Sequence, residues 1–364
     1  MDSLVEKIGN TIGKNPFRIS MQVFSRSTTG SVIHRQFERI RETFKHHTPP
    51  IIIGEHIGSG GFADVFFATS NYDGTTDFAI KILRSDLLTI RKGQNNDPVV
   101  EEMRVKDVKK RFTNESYVQW DLSKSLSDTV SRSVVKVFDF GEFDSRHNFR
   151  FILMEQMGKT LRHFLSDKDN MVESWDMLMY KTRIMITIAE IISNVHTEGI
   201  FHRDIKPENI LFPKGFVQPP LGNPELWRKG SDNKIELKLA DFGTVRWVKS
   251  YTSQYDAVII GSQFYMSPEQ IYNPEHIDVR TDIYSFGIVC YELLYGKHPK
   301  NIGKNTTNVL SKLAEEKPIS KSPPKGFEGL NDIIVKCMGE INQRYQSMEE
   351  VVTELRSFFT QMIN

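Results

Sequence analysis

Cysteine is scarce in this chain, and so is any imbalance of charge. The 364 residues include only two cysteines, Cys290 and Cys337, which are too few for a disulfide framework or a cysteine-based zinc site. Lysine and arginine number 47 and aspartate and glutamate 46, whereas a nucleic-acid-binding domain is normally strongly basic. The composition therefore predicts a protein of a reducing compartment, the cytoplasm, with no nucleic acid as a partner.

A hydrophobic run long enough to span a bilayer is also missing. The most apolar stretch, Ile283–Leu294, is short and is interrupted by Ser285, Gly287 and Glu292, so it predicts a buried core helix. The start of the chain, Met1–Lys7, lacks the basic residues and apolar centre of a signal peptide. We expect no transmembrane segment.

The first fifty residues differ in character from the rest. Residues 1–30 are rich in Ser, Thr and Gly without periodicity, which predicts a loosely ordered lead-in. From 31 to 47, Ile33, Phe37, Ile40 and Phe44 recur at the spacing of an amphipathic helix. Basic residues outnumber acidic ones by eight to four in residues 1–50. This helix could bind an acidic partner or a membrane surface, or its apolar face could pack on the neighbouring domain.

The remaining chain changes from strands to helices near residue 158. Apolar and β-branched runs predict strands at 51–53, 63–67, 77–82, 134–138 and 149–154. Helical periodicity predicts helices at 105–122, 180–198, 282–295, 329–338 and 348–362. Two polar stretches, 91–107 and 213–234, look like inserted loops. This order predicts an α+β fold of two lobes, a strand-rich one at 51–157 and a helical one at 158–364.

The most informative motif is the string HRDIKPEN at residues 202–209. It matches H-R-D-x-x-x-x-N, a pattern typical of phosphoryl transfer from a metal-bound nucleotide. In that chemistry one carboxylate orients the attacking hydroxyl and accepts its proton, and Asp204 is the candidate. Lys206 can neutralise charge on the transferred phosphate, and the amide oxygen of Asn209 can ligate Mg²⁺.

A second motif, Asp241-Phe242-Gly243, follows the apolar stretch 235–239. Asp241 would bridge Mg²⁺ to the β- and γ-phosphates, and Gly243 would allow the backbone to turn. The tripeptide alone is common, but its position after the first motif makes it informative.

A glycine-rich hairpin is predicted between the first two strands by Gly58, Ser59, Gly60 and Gly61. Such a hairpin lets backbone N–H groups approach phosphates that side chains would otherwise block. Lys81 lies on the next strand between apolar residues, where an ammonium group needs a partner. Phosphate oxygens or a helix glutamate could provide it. The candidate glutamates are Glu115, which we favour, Glu101 and Glu102.

This ordered set of motifs resembles the eukaryotic-like protein kinases over about residues 51–362. The stretch GSQFYMSPEQ at 261–270 resembles the bacterial serine/threonine branch, and Lys206 resembles the serine/threonine pattern rather than the tyrosine-specific one. The resemblance implies the bilobal protein-kinase fold, with a strand-rich N-lobe and a helical C-lobe. It also implies transfer of phosphate from ATP, with Mg²⁺, to serine or threonine hydroxyls of protein substrates.

The resemblance assigns further roles to individual residues. The nucleotide-binding set that it implies is Gly58, Ser59, Gly60, Gly61, Val65, Ala79, Lys81, Met154, Glu155, Met157 and Leu211. The catalytic set is Lys81, Glu115, Asp204 and Lys206, and the metal ligands are Asn209 and Asp241. The structural set is Ser262 against the catalytic loop, the ion pair of Glu269 with Arg344, and Asp282 as a brace.

Arg203 beside Asp204 resembles kinases whose activation segment is ordered by phosphorylation. Candidate acceptors are Thr244, Ser250, Tyr251, Thr252 and Ser253, and a segment that orders without modification is the alternative. Two residues depart from the family pattern. Ala63 stands where a third glycine is usual, and Gln119 stands one turn after Glu115, where the family buries an apolar side chain.

We therefore predict a serine/threonine protein kinase that phosphorylates its own activation segment. One alternative is a pseudokinase or scaffold that binds nucleotide or partners without turnover. Its weakness is that Lys81, Asp204, Asn209 and Asp241 are all intact. Another is a kinase for small molecules, which the resemblance of residues 262–269 to a protein-substrate platform disfavours.

Overall fold

The computed structural model describes residues 20–23, 50–60, 62–70, 76–88, 98–143, 149–219, 221–222, 235–243, 246–247, 263–275, 277–300 and 321–364. They divide into two compact units. The first contains the described residues up to Thr113 together with Val137–Gln156, and the second contains Asn114–Lys136 and the described residues from Met157 onwards. The predicted helix at 31–47 lies outside the described residues.

The first unit is built on one sheet of six strands in the order β1-β2-β3-β4-β6-β5. The strands are β1 (Ser20–Val23), β2 (Pro50–Ser59), β3 (Ala63–Ser70), β4 (Thr76–Leu83), β5 (Val137–Phe143) and β6 (Phe149–Glu155). All neighbours are antiparallel except β1 and β2, which are parallel. The prediction of a loosely ordered lead-in was wrong for Ser20–Val23, because pairing with β2 organises a segment that has no periodicity of its own.

Alternation along the strands gives this sheet two different faces. One face carries the buried core of the unit, which includes Phe66 on β3 and Ile80 and Ile82 on β4. The residues between them, such as Ala79 and Lys81, point to the opposite face. The sheet therefore presents a second surface on which polar and small residues of the predicted nucleotide site can lie.

Helix α1 (Pro98–Ser123) begins well before the predicted start at Val105. The prediction of an inserted loop at 91–107 was therefore wrong for its second part. A proline is well tolerated at the first position of a helix, and the charged residues that follow are good helix formers. Arg104 pairs with Glu101 three residues earlier, at 2.9 Å. The high charge density of this segment therefore marks a solvated helix face and not a loop.

The second unit is mainly helical. Its helices are α2 (Asp128–Ser133), α3 (Leu161–Ser166), α4 (Trp175–Thr197), α5 (Pro268–Tyr272), α6 (Arg280–Tyr295), α7 (Glu328–Cys337) and α8 (Met348–Ile363). Its short strands are β7 (Met157–Thr160), β8 (Ile200–Phe201), β9 (Ile210–Pro213), β10 (Lys238–Leu239) and β11 (Arg246–Trp247). The strand predicted at Val134 starts later, at Val137, because Val134 makes only an isolated bridge to Leu239.

Helix α6 forms the centre of the second unit. Every residue from Thr281 to Tyr295 is buried, as predicted for the most apolar stretch of the sequence. Cys290 and Cys337 are both buried and unpaired. Within the described part of the chain, no helix combines the length and apolarity that crossing a bilayer requires. The buried helix places its first turn, with Asp282, beneath the loop described next.

Candidate active site

The loop between β8 and β9 brings two predicted site residues, Lys206 and Asn209, to the carboxylate of a third, Asp204. Lys206 Nζ lies 2.6 Å from Asp204 Oδ2. Asn209 Nδ2 donates to the backbone oxygen of Asp204 at 2.9 Å and to Asp204 Oδ2 at 3.2 Å. Asp204 and Asn209 are both buried. A carboxylate held by a cation and an amide in this way can be aimed at an incoming hydroxyl.

The surroundings of Asp204 change its acidity. Burial raises the pKa of the Asp204 carboxyl above the ordinary aspartate value, and Lys206 opposes the shift through its charge and hydrogen bond. The nearby charge of Asp241 raises the pKa further. A carboxylate with a raised pKa accepts a proton more readily than an exposed aspartate does. Asp204 therefore has the electrostatics of a proton acceptor.

The backbone around Asp204 is fixed by Asp282. Its two carboxylate oxygens accept the backbone N–H groups of His202 and Arg203, each at 2.7 Å. Oδ2 also lies 2.9 Å from His196 Nε2. From the other side, Gln270 Nε2 donates to the backbone oxygen of Arg203 at 3.0 Å. The predicted role of Asp282 as a brace of this loop agrees with these contacts.

The second motif lies next to the first. The backbone N–H of Ala240 donates to the backbone oxygen of Asn209 at 2.9 Å. This hydrogen bond holds the residue before Asp241 against Asn209. Asp241 has a φ of 67°, in the left-handed region. Phe242 is fully buried, and its ring packs edge-on to the His202 ring at 4.8 Å between centroids.

Two carboxylates lie close to Gly243. A Cβ built on Gly243 would lie 3.3 Å from Glu115 Oε2 and 3.4 Å from Asp241 Oδ1. The first distance is tight and the second is an ordinary van der Waals contact. The structure thus brings Glu115, on α1, to the turn that carries Asp241.

Asn209 and Asp241 fit the requirements of a magnesium site. Two hydrogen bonds of Asn209 use its amide nitrogen, and an amide oxygen is a ligand that Mg²⁺ accepts. Magnesium is usually held by one or two protein carboxylates or amides, with phosphates and water completing the shell. Among the described residues, no group of three or more His, Cys, Asp or Glu side chains could hold a metal ion.

The predicted nucleotide residues of the first unit share one face of its sheet. Val65 on β3 pairs with Lys81 on β4, and Ala79 on β4 pairs with Met154 on β6. These four residues alternate with the core residues of their strands, so they lie on the face opposite the core. The register of three strands, rather than proximity in sequence, brings them together.

The glycine hairpin joins β2 to β3, just before Val65 in the chain. A Cβ built on Gly58 would meet no atom of the described structure within 4 Å, and its φ is outside the left-handed region. Neither packing nor backbone conformation therefore requires glycine at this position. The space fits the backbone approach of a phosphate. Gly61 lies outside the described residues.

The other predicted site residues are distributed over both units. Glu155 ends β6, Met157 begins β7, and Leu211 lies on β9 opposite Thr160. Lys81 belongs to the first unit and Glu115 to the second, so their pairing stays a prediction.

The activation-segment predictions are tested only in part. Arg344 donates from Nη1 to Glu269 Oε1 at 2.7 Å, and both side chains are largely buried, as predicted. Ser262 and the candidate acceptors Thr244, Ser250, Tyr251, Thr252 and Ser253 lie outside the described residues.

Sequence reasoning missed two interactions near the site. Gln119, interpreted as a departure from the family, is buried and donates from Nε2 to the backbone oxygen of Val135 at 3.0 Å. The N–H of Val135 in turn donates to the oxygen of Leu239 at 3.0 Å, two residues before Asp241. Only a partner distant in sequence explains this buried amide, so no local pattern could have revealed it.

The second missed interaction is a polar network centred on Arg162 of α3. Arg162 Nε donates to Glu208 Oε1 at 2.8 Å, and Nη2 contacts Tyr265 Oη and Glu292 Oε2. Tyr265 Oη donates to Glu292 Oε2 at 2.8 Å. One guanidinium thereby links the residue before Asn209 to helix α6.

Comparison with known proteins supports a family assignment. Residues 51–364 match the model of the protein kinase domain. The chain is 31% identical over 309 residues to a probable serine/threonine-protein kinase of Clostridium perfringens, covering 82% of this chain and 37% of that protein. It is 28% identical over 306 residues to the serine/threonine-protein kinase PrkC of Bacillus subtilis, covering 83% of this chain and 39% of that protein.

A third relative shows the same proportions. The serine/threonine-protein kinase PknB of Mycobacterium leprae is 29% identical over 321 residues, which are 85% of this chain and 43% of that protein. The chain thus matches only about two fifths of the length of these curated relatives.

Proposed function

The chain belongs to the protein kinase domain family, and from this premise we propose that it is a serine/threonine protein kinase that transfers the γ-phosphate of ATP to protein hydroxyls. The observation that carries the proposal is the arrangement around Asp204. Lys206 Nζ lies 2.6 Å from its carboxylate and Asn209 Nδ2 lies 3.2 Å from the same oxygen. A scaffold that only binds partners has no chemical need for this arrangement.

The residues of the second unit would carry out the transfer. Asp204 orients the serine or threonine hydroxyl of a protein substrate and accepts its proton. The hydroxyl oxygen forms a bond to the γ-phosphorus while the bond to the β,γ-bridging oxygen breaks, leaving ADP. Lys206 neutralises charge on the transferred group. Catalysis by positioning and charge neutralisation needs no covalent enzyme intermediate.

The nucleotide would be held by the predicted set, most of which lies in the first unit, with Lys81 on its phosphates and the glycine hairpin approaching them. Asn209 and Asp241 would hold Mg²⁺. When bound, this ion neutralises phosphate charge and fixes the geometry of the β- and γ-phosphates. Glu115 would orient Lys81.

Three finer parts of the proposal concern location, regulation and partners. We infer a cytoplasmic location from the two unpaired cysteines and the use of ATP. Autophosphorylation between Thr244 and Ser262 would order the activation segment through Arg203. The basic helix predicted at 31–47 remains a candidate contact for an acidic partner or a membrane surface.

The test is phosphate transfer from Mg·ATP by purified protein, with phosphosites mapped by mass spectrometry. Asp204→Asn should lower transfer by about 10²- to 10⁴-fold while ATP binding persists. Asp332→Asn, an exposed aspartate on α7, is the matched control and should retain full activity. Equal activity in Asp204→Asn and wild type would refute the role of Asp204. ATP binding without transfer in the wild type would favour the scaffold alternative.

A further inference from the structure

A polar cluster closes the glycine hairpin from the core side of its sheet. Ser59 Oγ donates to Asp64 Oδ1 at 2.7 Å, and His56 Nε2 lies 2.9 Å from Ser59 Oγ. A serine hydroxyl has one proton. Since Ser59 gives it to Asp64, His56 must be the donor in the second bond. We call these three residues, His56, Ser59 and Asp64, the hairpin lock.

A β-bulge makes the hairpin lock possible. Residues three apart on a regular strand point to opposite faces, so His56 and Ser59 would normally be separated by the sheet. Just after His56, however, β2 advances by two residues while β3 advances by one. The extra residue, Ile57, turns Ser59 to the same face as His56. Ser59 then lies directly opposite Asp64 in the strand register.

Burial of the hairpin lock is confined to its carboxylate. Asp64 is 3% exposed, whereas His56 and Ser59 are exposed. The His56 ring packs edge-on to Phe66 at 5.4 Å between centroids. Phe66 belongs to the core of the first unit. Hydrogen bonds to a carboxylate are stronger in such surroundings than in water. Because Val65 alternates with Asp64 and Phe66, the lock lies behind the face that carries Val65 and Lys81.

We propose that Asp64 and His56 are positioning residues that hold the glycine hairpin ready for the phosphates of the nucleotide, acting through Ser59. This inference rests on the proposed function. Gly58 and Gly60 flank Ser59, and glycine has more conformational freedom to lose than any other residue. Fixing Ser59 before the nucleotide arrives reduces the ordering cost of phosphate binding. Asp64 and His56 act through Ser59 and do not themselves contact the nucleotide.

The experiment compares dissociation constants for Mg·ATP and for adenosine, measured by calorimetry on the full chain. Asp64→Ala removes the acceptor of Ser59 and should weaken Mg·ATP binding by about tenfold, the effect of one lost hydrogen bond. Adenosine affinity should stay unchanged, because adenosine has no phosphate. Asp64→Asn keeps an acceptor oxygen and should restore most of the ATP affinity. Thr69→Ala, at the far end of β3, is the control.

The outcomes separate this inference from the proposed function. Equal losses for Mg·ATP and adenosine, or unchanged ATP affinity in Asp64→Ala, would overturn the positioning role and leave the kinase proposal intact. If Asp64→Ala does not fold, Ser59→Ala must show the same selective loss for ATP. A wild-type protein that binds no Mg·ATP would overturn both proposals.

Discussion

The backbone N–H of Arg203 donates to Asp282 Oδ1 at 2.7 Å. Arg203 has a φ of 69°, a left-handed conformation that costs a non-glycine residue about 1 kcal/mol or more. Asp282 also accepts the N–H of His202 and is fully buried. A carboxylate 79 positions later in the chain thus stabilises the strained backbone immediately before Asp204.

Asp282→Asn should destabilise the protein by roughly 2–3 kcal/mol, because an amide has one acceptor oxygen for two buried N–H donors. Loosening of the loop should lower kcat more than it changes KM for ATP. Urea unfolding and steady-state kinetics measure these two effects. Asp278→Asn, at a half-exposed carboxylate nearby, is the control.

The difference in stability between wild type and Asp282→Asn should depend on pH with a definite sign. Burial alone would raise the pKa of Asp282, but the hydrogen bond and charge of His196, together with His202, hold it below the ordinary value of 3.8. A lowered folded-state pKa contributes stability above the unfolded pKa and loses it as pH falls through the folded value. The gap between wild type and Asp282→Asn should therefore shrink as pH falls below about 4. A gap that widens below pH 4 would contradict this account.

Lys206 should set the position of the acidic limb of the pH–rate profile. The pKa of Asp204 is raised by burial and restrained by Lys206, and the ionised form is the proton acceptor. Lys206→Gln should lower kcat and also move the acidic limb to higher pH. The measurement is the normalised profile of kcat from pH 4.5 to 9. An acidic limb that stays in place in Lys206→Gln would refute the coupling between Lys206 and Asp204.

The raised pKa of Asp204 should also make the stability of the protein depend on pH. Its raised pKa means that the folded state binds the proton more tightly, so stability decreases as pH rises from the unfolded to the folded pKa. Asp204→Asn should therefore be no less stable than wild type at neutral pH, despite its loss of activity.

The ion pair of Glu269 and Arg344 should show strong coupling in a double-mutant cycle. Arg344 is 3% exposed, and loss of one partner leaves a buried charge uncompensated, which costs about 3–5 kcal/mol. Arg344→Met and Glu269→Gln should each destabilise strongly, and the double variant should be far less destabilised than their sum. The exposed pair Arg356 and Glu190 is the control and should couple by about 1 kcal/mol or less. Additive effects at both sites would be inconsistent with a buried ion pair.

Gln119 stands where the family buries an apolar side chain. The variant Gln119→Leu tests whether the glutamine weakens or stabilises the structure. Leucine fills a similar volume but leaves the buried oxygen of Val135 without the hydrogen bond it accepts at 3.0 Å, which costs about 1–3 kcal/mol. Stability should fall, and activity should fall with it because α1 also carries Glu115. Thermal unfolding and kinase assays measure both effects. Gln361→Leu on the exposed side of α8 is the control, and a gain of stability in Gln119→Leu would show that an apolar residue fits better.

Much of the candidate site could be predicted because its residues are close in the chain. Asp204, Lys206 and Asn209 lie within six residues, so any compact loop brings them together. The pair Glu269 and Arg344 is 75 residues apart and could be predicted only from the resemblance. The hairpin lock could not be predicted at all, since the bulge at Ile57 reverses the face that strand alternation assigns to Ser59.

Errors in the predicted elements have one physical cause. The start of α1 was interpreted as a loop because its charges show no apolar stripe, and β1 was missed because a four-residue edge strand carries too little pattern of its own. Both are stabilised by contacts outside their own sequence. β1 pairs with β2, and Arg104 of α1 donates from Nη1 to the backbone oxygen of Leu87 at 2.8 Å. Local propensity is a weak prior wherever such contacts decide the outcome.

The sequence by itself determined which groups carry the proposed chemistry: a glycine-rich turn, then a carboxylate, a lysine and an amide in one short string, and then a second carboxylate. Those groups act through short-range spacing, which the chain imposes before it folds. Only the tertiary structure decided what holds them in place: Asp282 under a strained Arg203, Gln119 on Val135, and His56 and Asp64 behind Ser59. These hydrogen bonds depend on strand register and helix packing, which exist only once the core has formed.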